Sequence, residues 1–438
     1  GQETAEGRAE TLGANLLITG DVSFADRYVA GIRAVEPRQV QQMAAKYLAP
    51  ERTSVAILRP GAEAVADRRP DRRPREARTV ERTLGNGLRV FVVETREVPL
   101  VTLRLLVPAG SAHDPEGREG IANLTAQMLL KGAGGLGAEE ISEAIENVGG
   151  RLEASAGRDF TIVAGDFLSR DLALGLGHLA RAAAAPDFPA EEFERERSIV
   201  LAGLRQVKEN PGALASREFV RLLLAGHPYG NPVEGYPGSV AALGRGDAAA
   251  FHGRHYAPRG SILAVVGDVS AKKALKLVEK HFGGWKGEAA PAGAARPLSA
   301  AERGRRVIVI DKPDVTQTQI RIGNLAAGMN APDYFEAEVA NTLLGGGFTS
   351  RLMDEIRVNR GLTYGVRSGL SRHLHGGYFT VATFTKHATL RECIDVALAE
   401  VERIRTEPVG EDELAGTARR IFDELGYADV HTLRADGY

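Results

Sequence analysis

Leu343-Leu344-Gly345-Gly346-Gly347-Phe348-Thr349-Ser350-Arg351-Leu352, then Ile356-Arg357 and Arg360-Gly361-Leu362-Thr363-Tyr364, is the stretch on which the reading of this chain turns. Three glycines follow a helical pattern that opens at Asp333 and runs to Leu344. They are not a phosphate loop. No Lys-Ser/Thr follows them, and they sit at a helix end instead of after a strand. They are expected to give a tight connection into a helix at Arg351, with a substrate-facing backbone as second choice.

Working outward, Arg306 to Ile310 and Thr316 to Ile322 read as strands ahead of that helix. Gly287 to Pro297, rich in Gly, Ala and Pro, marks a boundary before them. Upstream of it, strands are expected at Leu88 to Val93, Leu100 to Val107, Arg151 to Ser155, Phe160 to Gly165 and Gly260 to Val269. Helical patterns cover Gly120 to Lys131, Ala138 to Val148, Asp171 to Ala183, Ala190 to Lys208 and Ala271 to Phe282. This alternation argues for an α/β architecture. Glu63 to Arg78, with Asp-Arg-Arg-Pro at 67–70 and again at 71–74, reads as a solvated linker.

With 438 residues, 43% of them apolar and 26% charged, the chain is long enough for two or more packed units. A formal charge of −2 gives no electrostatic reason to invoke nucleic acid or an acidic membrane. No run approaches the roughly 20 apolar residues of a membrane span. The single cysteine, Cys393, excludes an intrachain disulfide framework and a Cys-based metal cluster. Its helical surroundings point to a small buried apolar residue.

A repeat sharpens the organisation. Lys46-Tyr47-Leu48-Ala49-Pro50 leads to the apolar run Ser54 to Leu58, and His255-Tyr256-Ala257-Pro258 leads likewise to Ser261 to Val266. Both read as a helix end, a Pro turn and a strand that close a unit. A further unit opens after Pro297 without such a close. Two arrangements fit: a cut from a tandem protein, which is preferred, or a circular permutation. A corollary is that Ala14 to Leu58 folds back to close residues 306–421.

The Leu343 to Tyr364 stretch closely resembles the second-half signature of the insulinase/pitrilysin family of zinc peptidases, which includes the mitochondrial processing peptidases and bacterial two-subunit peptidases. Asn86-Gly87-Leu88-Arg89-Val90, His227-Pro228-Tyr229-Gly230 and Val266-Gly267-Asp268-Val269 fall where that family has similar residues. The resemblance covers essentially the whole chain. It implies an α/β (α+β) fold of two homologous half-units, each a mainly antiparallel sheet packed with helices. Residues 1–62 are then the closing segment of a preceding or permuted unit, and 63–80 a linker. Residues 81–290 form the first half-unit, and 298–438 a second one that departs from the family after Glu413-Leu414-Ala415.

Active members carry H-x-x-E-H on a helix of the first half. Residues at i, i+3 and i+4 share a face, so two His bind zinc while Glu activates water. The corresponding helix here is Gly120 to Gly132, with Asn123 and Gln127 at the ligand positions and Ala126 at the base position. A third ligand, a Glu on a later helix, falls on Gly203. Amides are weak zinc ligands and Ala126 cannot accept a proton. The resemblance therefore implies no cofactor in this chain and Zn in a partner unit.

The family's second-half pair, an Arg and a Tyr seven residues on, is present as Arg357 and Tyr364. In the family these reach the zinc site of the facing unit, where guanidinium and phenol can donate to the developing oxyanion. The bland alternative pairs Arg357 with Glu355 and packs Tyr364 in a strand. The implied partners are a zinc-bearing insulinase-type unit, upstream in the same polypeptide or separate, and a peptide substrate. Alone, the chain is expected to be inactive; the competing function is a scaffold subunit. The compartment is open between bacterial periplasm and cytoplasm, with the periplasm preferred.

Other histidines are weighed as metal ligands. His252 and His255, with Asp247 nearby, could share a helix face, but they end a repeated structural element. His373 and His375 flank Leu374 at strand spacing and read as a surface turn before Gly376-Gly377. His113-Asp114 reads as a loop ahead of the Asn123 helix.

Overall fold

In the computed structural model, which describes residues 5–21, 23–48, 79–96, 98–288, 298 and 306–424, the chain divides at Pro74 into two units. Among its described residues the first contains α1 (Ala5–Thr19), α2 (Phe24–Arg33) and α3 (Pro37–Tyr47). Pro37 sits at the first position of α3, and Gln39 Oε1 accepts from the Glu36 N–H at 2.8 Å, closing a capping box. The run Ser54 to Leu58 and the linker lie outside the described residues, as does the test of the fold-back corollary.

The second unit begins with β1 (Thr79–Thr83), β2 (Arg89–Glu94) and β3 (Leu100–Val107). Helix α4 (Ile121–Met128) follows, then the short pair β4 (Gly132–Ala133) and β5 (Leu136–Gly137), α5 (Ala138–Glu146), β6 (Arg151–Ala156) and β7 (Thr161–Leu168). Next come α6 (Leu172–Ala184), α7 (Ala190–Glu209), α8 (Pro211–Leu223), α9 (Pro237–Ala242), α10 (Arg245–His255), β8 (Ile262–Gly267) and α11 (Ala271–Phe282). The main sheet runs β1-β2-β8-β3-β7-β6, and only the β2–β8 pairing is parallel. In β3, Val101, Leu103, Leu105 and Val107 are buried while alternate residues are partly open. That period of two sends one face into a core with Leu124, Leu176, Val265 and Phe282.

After residue 306 the elements are β9 (Gln317–Ala326), α12 (Tyr334–Asn341), β10 (Val366–His373), β11 (Gly376–Lys386), α13 (Leu390–Thr406) and α14 (Glu411–Glu424). An antiparallel sheet β10-β11-β9 packs Ile320, Val366 and Val381 against Leu344, Leu352, Ile356, Cys393 and Ala397. Cys393 is buried on α13, as its surroundings suggested. The mixed α/β fold, sheets packed with helices, is the one expected.

Two details differ from expectation. Arg306 to Ile310 forms no strand; Val307 is 83% and Val309 87% exposed. An apolar run becomes a strand only where a neighbour takes up its backbone groups, and none does so among the described residues. The helix from Asp333 also widens into a π-helical turn, Thr342–Gly346, before the glycines end it. A Cβ on Gly345 would lie 2.6 Å from both the N and Oγ of Ser368 on β10, so glycine here permits a close helix–strand approach. The glycines therefore connect and pack, and Gly345 is turned inward.

The half-units are joined by elements not anticipated from sequence. Helix α8, capped by Asn210 Oδ1 on the Ala213 N–H at 3.0 Å, lies against β9. There Arg321 donates to Gly212 O at 2.8 Å and Ser216 Oγ at 2.9 Å. The β10–β11 turn docks onto the first half: Leu374 N–H donates to Asp159 Oδ2 at 3.1 Å, and the Tyr229 hydroxyl donates to Asp159 Oδ1. His375 N–H reaches the Tyr229 hydroxyl at 3.4 Å, and the His373 ring lies 4.8 Å from the Tyr229 ring. The turn exists as expected, but it is docked instead of free on the surface. Burial lowers the His373 and His113 pKa values, the former helped by Arg158.

Candidate functional site

Arg357 projects from a π-helical segment, Met353–Asn359, whose inner face carries buried Met353 and Ile356. Ahead of it, buried Arg351 forms a two-pronged pair with Glu413 of α14, both contacts at 2.7 Å. The segment is thus anchored by its neighbours while Arg357 is half-buried at its surface. Tyr364 lies in the connection to β10, not in a strand, and is 78% exposed. The Arg357 guanidinium carbon sits 4.9 Å from the Tyr364 ring centroid and 4.6 Å from that of Phe348, which is 68% exposed. Glu355, the proposed local partner, pairs with Arg360 at 3.4 Å instead. Among the described residues, neither the Arg357 guanidinium nor the Tyr364 hydroxyl has a hydrogen bond or ion pair. A half-buried guanidinium and an exposed phenol are therefore brought together, without hydrogen-bond or ion-pair partners among the described residues.

Helix α4 is set by the loop before it. Asp114 Oδ2 accepts from the Gly120 N–H at 2.7 Å and Oδ1 from the Ala122 N–H at 3.0 Å. A carboxylate thus caps two donors at the helix start. Burial nevertheless pushes the Asp114 pKa up to about 7, against the opposing pull of those two hydrogen bonds. On the helix, Ala126 is fully buried, while Asn123 and Gln127 are partly exposed. Gln127 Oε1 is enclosed without a hydrogen-bond partner. One turn on, Lys131 pairs with buried Glu196 of α7 at 2.8 Å. Gly203, further along α7, is exposed, and a Cβ there would meet nothing within 4 Å.

The rival histidines are otherwise engaged. His252 Nε2 contacts Ala183 O at 2.9 Å, and Asp247 pairs with Arg118 and accepts from the Gly244 N–H. His255 packs its ring 4.5 Å from Phe251 and 5.3 Å from His113.

Residues 89–236 match the family model described as Insulinase (Peptidase family M16), and residues 242–421 the one described as Peptidase M16 inactive domain. An uncharacterized zinc protease of Mycobacterium leprae is 30% identical over 321 residues, spanning 73% of this chain and 72% of that protein. The chain belongs to the insulinase (M16) peptidase family. An uncharacterized zinc protease of Rickettsia bellii is 26% identical, spanning 79% of this chain and 82% of its own length. The solved M16 inactive domain from Pseudomonas fluorescens superposes with a TM-score of 0.72 at 29% identity, covering 80% of this chain and 84% of that one. A protease from Helicobacter pylori gives 0.74 at 24% identity, covering 82% and 89%, and shows the shared fold.

Zinc is the metal that membership in the M16 family brings into question. The side chains of Asn123, Ala126, Gln127 and Gly203 do not fit it: they offer two neutral amides, a methyl and a hydrogen, with no imidazole or carboxylate. Among the described residues, no group of three or more His, Cys, Asp or Glu side chains could hold a metal ion. No described helix is long and apolar enough to cross a membrane. The family resemblance pointed to Arg357 and Tyr364 but passed over Phe348. Its only sequence signal was an apolar residue directly after three glycines, where little core is within reach.

Proposed function

We propose that this chain is a zinc-less unit of an M16 peptidase that pairs with a zinc-bearing unit and supplies Arg357 and Tyr364 for substrate binding and oxyanion stabilisation. The observation that carries this reading is the pair of half-buried Arg357 and exposed Tyr364, whose donors have no partner among the described residues, on a chain whose Asn123, Ala126, Gln127 and Gly203 provide no metal ligands. A guanidinium and a phenol brought to one spot can donate to a carbonyl oxygen as it gains charge. They neither activate water nor replace a metal, so the activated water belongs to the partner. The zinc-bearing unit is either an upstream part of the same polypeptide or a separate subunit, and the substrate is a peptide enclosed between the two.

The test is peptide hydrolysis by the chain alone and by the complex isolated with its zinc-bearing unit. The chain alone is expected to be inactive. In the complex, Arg357→Ala should lower kcat/KM by about 100- to 1,000-fold, equivalent to about 2.7–4 kcal/mol for one oxyanion donor. Unchanged turnover in the Arg357→Ala complex would identify the chain as a scaffold.

A further inference from the structure

Phe348 has no place in the reading above, yet the fold fixes it beside the functional pair. It follows Gly345-Gly346-Gly347 in a turn closed by Ser350, whose Oγ donates to Gly347 O at 2.6 Å and whose own side chain is buried. Arg420 of α14 holds the next residue through Thr349 Oγ1. The turn is thus pinned on both sides, and what it presents is an aromatic ring with 68% of its surface in water. That ring lies 4.6 Å from the Arg357 guanidinium carbon, nearer than Tyr364 at 4.9 Å. No ring contact joins Phe348 to Tyr364 among the described residues, so each ring meets the cation separately.

A guanidinium held by its flat faces keeps its N–H edge available, because the face interacts with the ring quadrupole while the donors lie in the plane. An exposed arginine otherwise loses much rotamer freedom when it engages a ligand. We propose that Phe348 is a positioning residue: its ring, with that of Tyr364, holds the Arg357 guanidinium so that its donor edge is presented to the carbonyl and carboxylate oxygens of a bound peptide. This rests on the peptide-binding role of Arg357 proposed above and adds the residue that pre-orients it. Preorganisation of this kind raises affinity by removing an ordering cost, without a new contact to the ligand.

The experiment measures binding of a fluorescein-labelled, unstructured 20-residue peptide to the full chain by anisotropy. It compares wild type, Phe348→Leu, Phe348→Tyr, Arg357→Ala and the double variant Phe348→Leu/Arg357→Ala. Phe348 is exposed, so each variant is expected to fold with an unchanged melting temperature. Phe348→Leu should weaken binding about two- to fivefold, the range of an exposed cation–π contact. Phe348→Tyr, which restores the π face, should bind as wild type. The double variant should bind no more weakly than Arg357→Ala alone, because the effect acts through the arginine. The inference is overturned if Phe348→Leu binds as wild type, if Phe348→Tyr fails to rescue, or if Phe348→Leu weakens binding equally in the Arg357→Ala background. The last result would make Phe348 a direct peptide contact. If Arg357→Ala itself binds peptide as wild type, the reading of the pair as a substrate site falls, and the positioning role falls with it.

Discussion

Replacing Tyr229 by phenylalanine removes one oxygen from the junction between the half-units and changes little else. Tyr229 is 0% and Asp159 8% exposed. The phenol donates to Asp159 Oδ1 while Asp159 Oδ2 receives the Leu374 N–H. Burial and the Asp159 carboxylate both raise the phenol's pKa, so it stays a donor across the physiological range. A hydrogen bond to a charged acceptor contributes about 1.5–3 kcal/mol, and here its loss leaves a buried carboxylate oxygen unsatisfied. The ring remains, so no cavity cost is added. A loss of about 2 kcal/mol corresponds to roughly a 30-fold increase in the opening constant of the segment that the bond holds. The measurement is hydrogen exchange followed by mass spectrometry on the β10–β11 turn, with the central strands β2 and β3 as internal reference. Leu374 and His375 should exchange about 10- to 100-fold faster in Tyr229→Phe, while β2 and β3 are unchanged. Equal protection of the turn in both proteins would refute the argument that this network fastens the second half, with Arg357 and Tyr364, to the first.

Two further outcomes follow from the packing and from Asp114. Gly345→Ala places a methyl 2.6 Å from Ser368 N and Oγ, and should destabilise the chain by about 1–3 kcal/mol in urea unfolding; an unchanged midpoint would show that the helix–strand approach is not tight. Asp114, with a folded pKa raised from 3.8 to about 7 by burial, binds its proton more tightly folded than unfolded. Its contribution is therefore full below pH 3.8 and is lost as pH rises through about 7. Asp114→Asn should flatten the fall in unfolding midpoint between pH 4 and 7, and an identical pH profile in the two proteins would contradict the burial argument.

Much of the first half-unit was legible because its signals are local. The alternation of β3 and the 3.6-residue pattern of α11 follow from residues a few positions apart. The donor chemistry of α4 is likewise a matter of residue type: no tertiary arrangement makes a zinc ligand of Ala126. Regions that depended on a distant neighbour were read less well. Arg306 to Ile310 has the composition of a strand but no ladder partner among the described residues, and Gly345 is explained only by Ser368 on a strand that follows later. His373 and His375 read as surface residues because the tyrosine that receives them lies in the other half of the unit.

By itself, the sequence determined many of the strands and helices between Leu88 and Phe282, the lack of metal-ligating groups on α4 and the seven-residue spacing of Arg357 and Tyr364. These are properties of residue identity and short-range periodicity. Tertiary structure alone decided that the β10–β11 turn closes on Asp159, 215 residues away from Leu374, and that Phe348 and Tyr364 flank one guanidinium. Such contacts depend on which surfaces the packed core leaves facing each other, and no local pattern along the chain encodes that.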